Sequence, residues 1–115
     1  MISIIDDDEC ARQAIQRLVR SLGYVVTTYG SAEDFLDSHH INDTSCLITD
    51  VHLPGLSGLE LHRRLLAHGF AVPTIFVSGF ADETTRRKVL ASGAVGFLSK
   101  PFGKKSLIDC LKAVR

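Results

Sequence analysis

Asp6, Asp7 and Asp8 follow a short apolar run at the start of this 115-residue chain, and Asp50, Ser78 and Lys100 each follow another such run. Carboxylates gathered in one crevice repel each other unless a cation or protons intervene. An acidic, oxygen-rich pocket suits a hard divalent ion. Magnesium takes octahedral oxygen ligands at about 2.0–2.1 Å and keeps several waters, so one or two carboxylates, a backbone carbonyl and a phosphoryl oxygen would complete its shell. Lys100 and the Ser78 hydroxyl would add a positive charge and a hydrogen-bond donor opposite. Such a set suits phosphoryl transfer, in which catalysis is mostly positioning and charge neutralisation. Taken singly, each residue has a plainer reading: an acid after a strand caps the next helix, with Asp8 or Glu9 the candidates here, and a loop lysine is solvated. Their recurrence at one kind of position is what points to a site.

That position is defined by the elements. Apolar or β-branched runs recur at residues 2–5, 24–28, 46–49, 74–77 and 95–98. Between them apolar residues take helical spacing, most clearly Ala11, Ala14, Ile15, Leu18, Val19 and Leu22, a core-facing stripe. Leu107, Ile108, Leu111 and Val114 supply the stripe of a last helix. Ser57 with Glu60 has capping-box spacing, Ser31 with Asp34 approximates it, and Asp82 can cap the segment after it. Gly23, Gly69 and Gly93 stand where helices should stop. The expected fold is α/β: a three-layer (βα)5 doubly wound parallel sheet, with residues 1–115 as a single domain. Ligands of such sheets bind outside the carboxyl ends of the strands, where the strand order reverses.

Composition narrows the class. Hydrophobic residues at 45% and charged residues at 23% fit a globular chain, and argue against disorder. No apolar stretch approaches the roughly 20 residues of a membrane span. MISIIDDDEC has no basic leader and no small-residue cleavage site, so the expected compartment is the cytoplasm. Cys10, Cys46 and Cys110 are odd in number and widely spaced, which argues for reduced packing residues over disulfides or zinc. His39, His40, His62 and His68 fit no ligand pattern and are expected at the surface. The net charge of zero is a cancellation, because residues 1–50 hold nine of the 13 acids and three of the 13 bases. Direct nucleic-acid contact has no support in this balance.

The motifs IIDDDE, CLITDVHLPGLSGLEL, TIFVSGFAD and GAVGFLSKPF, in that order and spacing across essentially the whole chain, resemble the receiver (CheY-like) domain of two-component response regulators. The resemblance implies a flavodoxin-like strand order of 2-1-3-4-5. It implies that Asp50 accepts a phosphoryl group from a histidine of a sensor kinase. Asp6 and Asp7 would hold Mg2+ with Asp50 and the backbone carbonyl of His52, Ser78 would bond the phosphoryl group, and Lys100 would pair with it. Ser78, Phe97 and Pro101 match the switch positions, Pro101 following a cis peptide in the family. Gly79, being small, would leave the acyl phosphate approachable. His52 and Phe80 fall at positions that govern water access to the phosphoaspartate, and two bulky rings there imply slow self-dephosphorylation.

Two departures bear on switching: Ser78 lacks the methyl of the common threonine, and Phe97 lacks the hydroxyl of the common tyrosine. SAEDFL, SGFAD and SKPF are most similar to FixJ-type regulators, which implies a LuxR-type DNA-binding domain outside this chain and transcription regulation as the output, with a stand-alone receiver as the alternative. Basic residues Arg86, Arg87, Lys88, Lys104, Lys105 and Lys112 read as solvated helical faces or, as the resemblance implies, as a homodimer surface of the fourth helix, fifth strand and fifth helix. An aspartyl-phosphate phosphohydrolase would want an acid two residues after the nucleophile, where His52 stands, so the chain is expected not to be an enzyme beyond its own phosphoryl transfer and dephosphorylation. A flavodoxin-like cofactor binder would offer a phosphate cradle where this chain is acidic.

Overall fold

The computed structural model describes residues 1–79 and 82–114. Strands and helices alternate as β1 (Ile2–Ile5), α1 (Glu9–Ser21), β2 (Val26–Tyr29), α2 (Ala32–Asp37), β3 (Cys46–Asp50), α3 (Gly58–Ala67), β4 (Thr74–Ser78), α4 (Glu83–Ala91), β5 (Gly96–Ser99) and α5 (Lys104–Lys112). All strand pairs are parallel, in the order β2-β1-β3-β4-β5. Ile4 pairs with Ile48 and Ile48 with Ile75, so the three central strands run level and end together.

Strand side chains alternate between faces, which divides the apolar residues into layers. On one face Ile2, Ile4, Ile48, Ile75 and Val77 pack with Ile15 and Val19 of α1 and Leu107 and Leu111 of α5. On the other, Ile5 and Leu47 meet Ala32 and Phe35 of α2 and Leu61 and Leu65 of α3. Val51, Phe76 and Val89 form a smaller cluster against Leu59 and Phe97. Burying a side chain such as Phe35 or Ile4 contributes about 1.5–3 kcal/mol.

The helices begin where the punctuation placed them. Asp8 accepts from the N–H of Cys10 and Ala11, Ser31 from Asp34, Ser57 from Glu60 and Asp82 from Thr85. Each such cap contributes about 1 kcal/mol. Gly23, Gly69 and Gly93 follow α1, α3 and α4 with positive φ.

Four expectations need correction. β2 begins at Val26, two residues late; Tyr24 and Val25 are exposed, although the Val25 carbonyl already accepts from Ile2 N–H. β5 is displaced by one residue, to Gly96–Ser99. His62 is not at the surface: it is 6% exposed, buried by α3 edge-on against Phe76. Cys10 does not pack, being exposed on α1, whereas Cys46 is buried and Cys110 half-buried. No helix among the described residues is long and apolar enough to cross a membrane.

Candidate functional site

β1 lies between β2 and β3, so the chain leaves its carboxyl end in one direction to reach β2 and returns on the other side for β3. The reversal opens a crevice beyond Ile5 and Asp50. Asp6 extends β1 into it, its N–H bonded to the Tyr29 carbonyl at 3.2 Å, and is 1% exposed. Asp50 ends β3 and is 8% exposed, while Asp7 is exposed at the crevice mouth. One carboxylate oxygen from each of Asp6, Asp7 and Asp50 comes within 4.8 Å of the others. Three hard oxygen donors so close are the donor chemistry that magnesium accepts.

Two buried carboxylates need compensation. The Lys100 ammonium, at the end of β5, donates to Asp6 Oδ2 at 2.9 Å and to Asp50 Oδ2 at 3.0 Å. Burial works to lower the lysine pKa, but the hydrogen bonds to Asp6 and Asp50 and their charges outweigh it, so the group is held above its usual range. The other carboxylate oxygens are oriented by backbone: Asp6 Oδ1 accepts from Asp8 N–H and Asp50 Oδ1 from His52 N–H, both at 3.0 Å. Lys100 is therefore an internal counter-ion that holds the two carboxylates side by side.

The family comparison matches residues 2–112 to the response regulator receiver domain. The chain belongs to that family. Relatives include nodulation protein W of Bradyrhizobium diazoefficiens and TodT of Pseudomonas putida, each 39% identical over 98% of this chain and 50% of theirs. FixJ of Azorhizobium caulinodans, a transcriptional regulatory protein, is 38% identical over 97% of this chain and 53% of its own length. The chain thus spans about half the length of these regulators. Among solved structures, a receiver protein from Burkholderia phymatum matches with TM-score 0.84 and 40% identity, covering 98% of this chain and 92% of that one. FixJ-N matches with TM-score 0.87 and 30% identity, covering 98% and 90%. These 115 residues thus form a two-component receiver domain, similar to the receivers of transcriptional regulators.

Within this receiver, Asp6, Asp7, Asp50 and Lys100 come together at one site. Ser78 is fully buried at the end of β4, beside β5, and its carbonyl accepts from Lys100 N–H at 2.8 Å. The Lys100–Pro101 peptide is cis. Phe97 is half-buried against Val51, Phe76 and Val89. His52 is exposed beside Asp50 and close enough to Asp82 to help lower that carboxyl, after the dominant hydrogen bonds from Thr85. Among the described residues, a Cβ at Gly79 would meet nothing within 4 Å. Phe80 lies outside the described residues.

Two contributors were not singled out from sequence. Gly58 opens α3 against the Asp50 carbonyl, and a Cβ there would collide with that backbone oxygen. Arg12 reaches back from α1 to donate to the Asp6 carbonyl at 2.9 Å. The second glycine of PGLSG is the signal for the first; Arg12, six residues after Asp6, is at the reach of a helix's first turn back to its own strand.

Proposed function

We propose that Asp50 is the phosphoacceptor of this receiver domain, within a single domain of residues 1–115. What supports this reading most directly is the shared grip of Lys100 on Asp50 and Asp6 beside a third carboxylate. An Asp50 carboxylate oxygen attacks phosphorus, the phosphorus–nitrogen bond of a sensor kinase phosphohistidine breaks, and the imidazole leaves with that electron pair. The product is an acyl phosphate on Asp50.

Asp6, Asp7, Asp50 and the His52 carbonyl are the residues that would hold magnesium, which when bound neutralises phosphoryl oxygens. Lys100 supplies a fixed positive charge on the phosphoryl group, and Ser78 a hydroxyl for it. Engagement of Ser78 and Lys100 biases a two-state element in which Phe97 and the Lys100–Pro101 turn take part. The output is transcription regulation through a DNA-binding domain of the LuxR type and homodimerisation through α4, β5 and α5. The setting is the cytoplasm. His52, exposed at the mouth, slows hydrolysis of the acyl phosphate by excluding water.

Intact-mass measurement after incubation with acetyl phosphate and magnesium tests this reading. One phosphoryl adduct is expected, lost with a chelator and in Asp50→Asn. Adduct formation that ignores the chelator contradicts the metal role. A phosphoryl lifetime unchanged in His52→Ala contradicts the shielding role.

A further inference from the structure

The segment between Asp50 and α3 is held at several points. His52 N–H bonds Asp50 Oδ1 at 3.0 Å, and Gly58 N–H bonds the Val51 carbonyl at 3.1 Å. Leu53 and Leu56 are buried at 8% exposure each, against Ala32, Phe35 and Leu61. One further tie comes from an element with no other part in the site: Glu33, in the first turn of α2, accepts from Leu56 N–H through Oε2 at 3.3 Å. The fit is close on both sides of that bond. Gly55 has φ +74°, and a Cβ on it would collide with Glu33 Oε2. The Glu33 carboxylate thus lies directly over the backbone at 55 and 56.

Glu33 is exposed, and its hydrogen bond competes with water, so it adds little to global stability. What it constrains is local: the far end of a loop whose near end carries Asp50 and His52. We propose that Glu33 is a positioning residue for the magnesium loop, holding residues 51–57 from α2 so that Asp50 and the His52 carbonyl are presented together to a divalent cation. The proposal rests on the reading that these two groups hold magnesium. Partners that orient metal ligands without touching the metal contribute 10–100-fold to affinity, and one acting through a loop belongs at the low end of that range.

The test is calorimetric titration of magnesium chloride, without phosphoryl donor, into the wild type, Glu33→Ala, Glu33→Gln and Asp34→Ala. Glutamine keeps an oxygen acceptor and loses the charge. Asp34→Ala removes an equal charge from the same helical turn without touching the loop. Expected are about tenfold weaker binding in Glu33→Ala, near wild-type binding in Glu33→Gln and Asp34→Ala, and similar melting midpoints for all four without metal. The Leu56 amide proton should move upfield in Glu33→Ala alone. Equal affinity in Glu33→Ala and wild type overturns the proposal while leaving the metal site intact. Equal weakening in all three variants overturns it by reducing the effect to charge. A wild type that binds no magnesium overturns the metal reading, and the role of Glu33 with it.

Discussion

Lys100 donates to Asp50 across 50 residues of sequence at 3.0 Å, and the same ammonium donates to Asp6 at 2.9 Å. The end of β5 thereby neutralises the ends of β1 and β3. Lys100→Met leaves two buried carboxylates without their counter-ion, so stability in metal-free buffer should fall by about 1–3 kcal/mol. Magnesium should then raise the melting midpoint of the variant more than that of the wild type, because the ion replaces the lost charge. The lysine pKa is raised in the fold, so its contribution is complete below about pH 10.4, the unfolded value, and is lost as pH rises through the folded value. Urea midpoints should fall less steeply on the alkaline side in the variant; parallel curves would contradict the pairing.

His62 predicts a loss of stability on the acid side. Burial against Phe76 lowers its pKa, so its neutral form belongs to the folded state and its charged form to the unfolded chain. Stability is complete above about pH 6.5 and is lost as pH falls through the folded value. His62→Leu should flatten the decline below about pH 6.5 in urea denaturation. An unchanged slope would show that His62 takes no part.

Gly58→Ala should destabilise the fold by about 1–3 kcal/mol, the usual range for overpacking. Its Cβ meets the Asp50 carbonyl, a backbone atom that yields only by moving β3 or α3. Phosphorylation by acetyl phosphate should slow in parallel, because the same shift moves the acceptor carboxylate. A variant with wild-type stability and rate would place α3 farther from Asp50 than described.

The three thiols should separate by rate with a disulfide reagent at neutral pH. Cys10 is exposed. Burial pushes the Cys46 thiol up to about 12 and raises Cys110 as well, and the thiolate is the reactive form. One fast thiol is expected, abolished by Cys10→Ser, with Cys46 reacting only on unfolding. Fast labelling of Cys46 would mean that the amino end of β3 opens readily.

How much was legible in advance follows from which interactions are local. β1, β3 and β4 are apolar on both faces because helices cover both, and such runs stand out in a sequence. Helix starts were legible because Asp8, Ser31, Ser57 and Asp82 cap within three residues of themselves. β2 was misplaced because an edge strand is under weaker constraint: Tyr24 and Val25 are apolar yet point to no core. His62 was misread because a lone histidine followed by Arg63 and Arg64 looks solvated, and only the packing of α3 on Phe76 shows otherwise. Asp6, Asp7, Asp50 and Lys100 could be named because each stands at or just after the carboxyl end of a strand. Glu33 and Arg12 could not, since their bonds to Leu56 and Asp6 go to backbone atoms, which any sequence offers equally.

Asp50 is proposed as the carboxylate that carries the phosphoryl group. Borohydride reduction of the phosphorylated protein converts an aspartyl phosphate to homoserine, and peptide mass spectrometry locates the product. Homoserine at position 50, absent without magnesium, is the predicted result; homoserine at Asp6 or Asp7 with Asp50 unmodified would contradict the account.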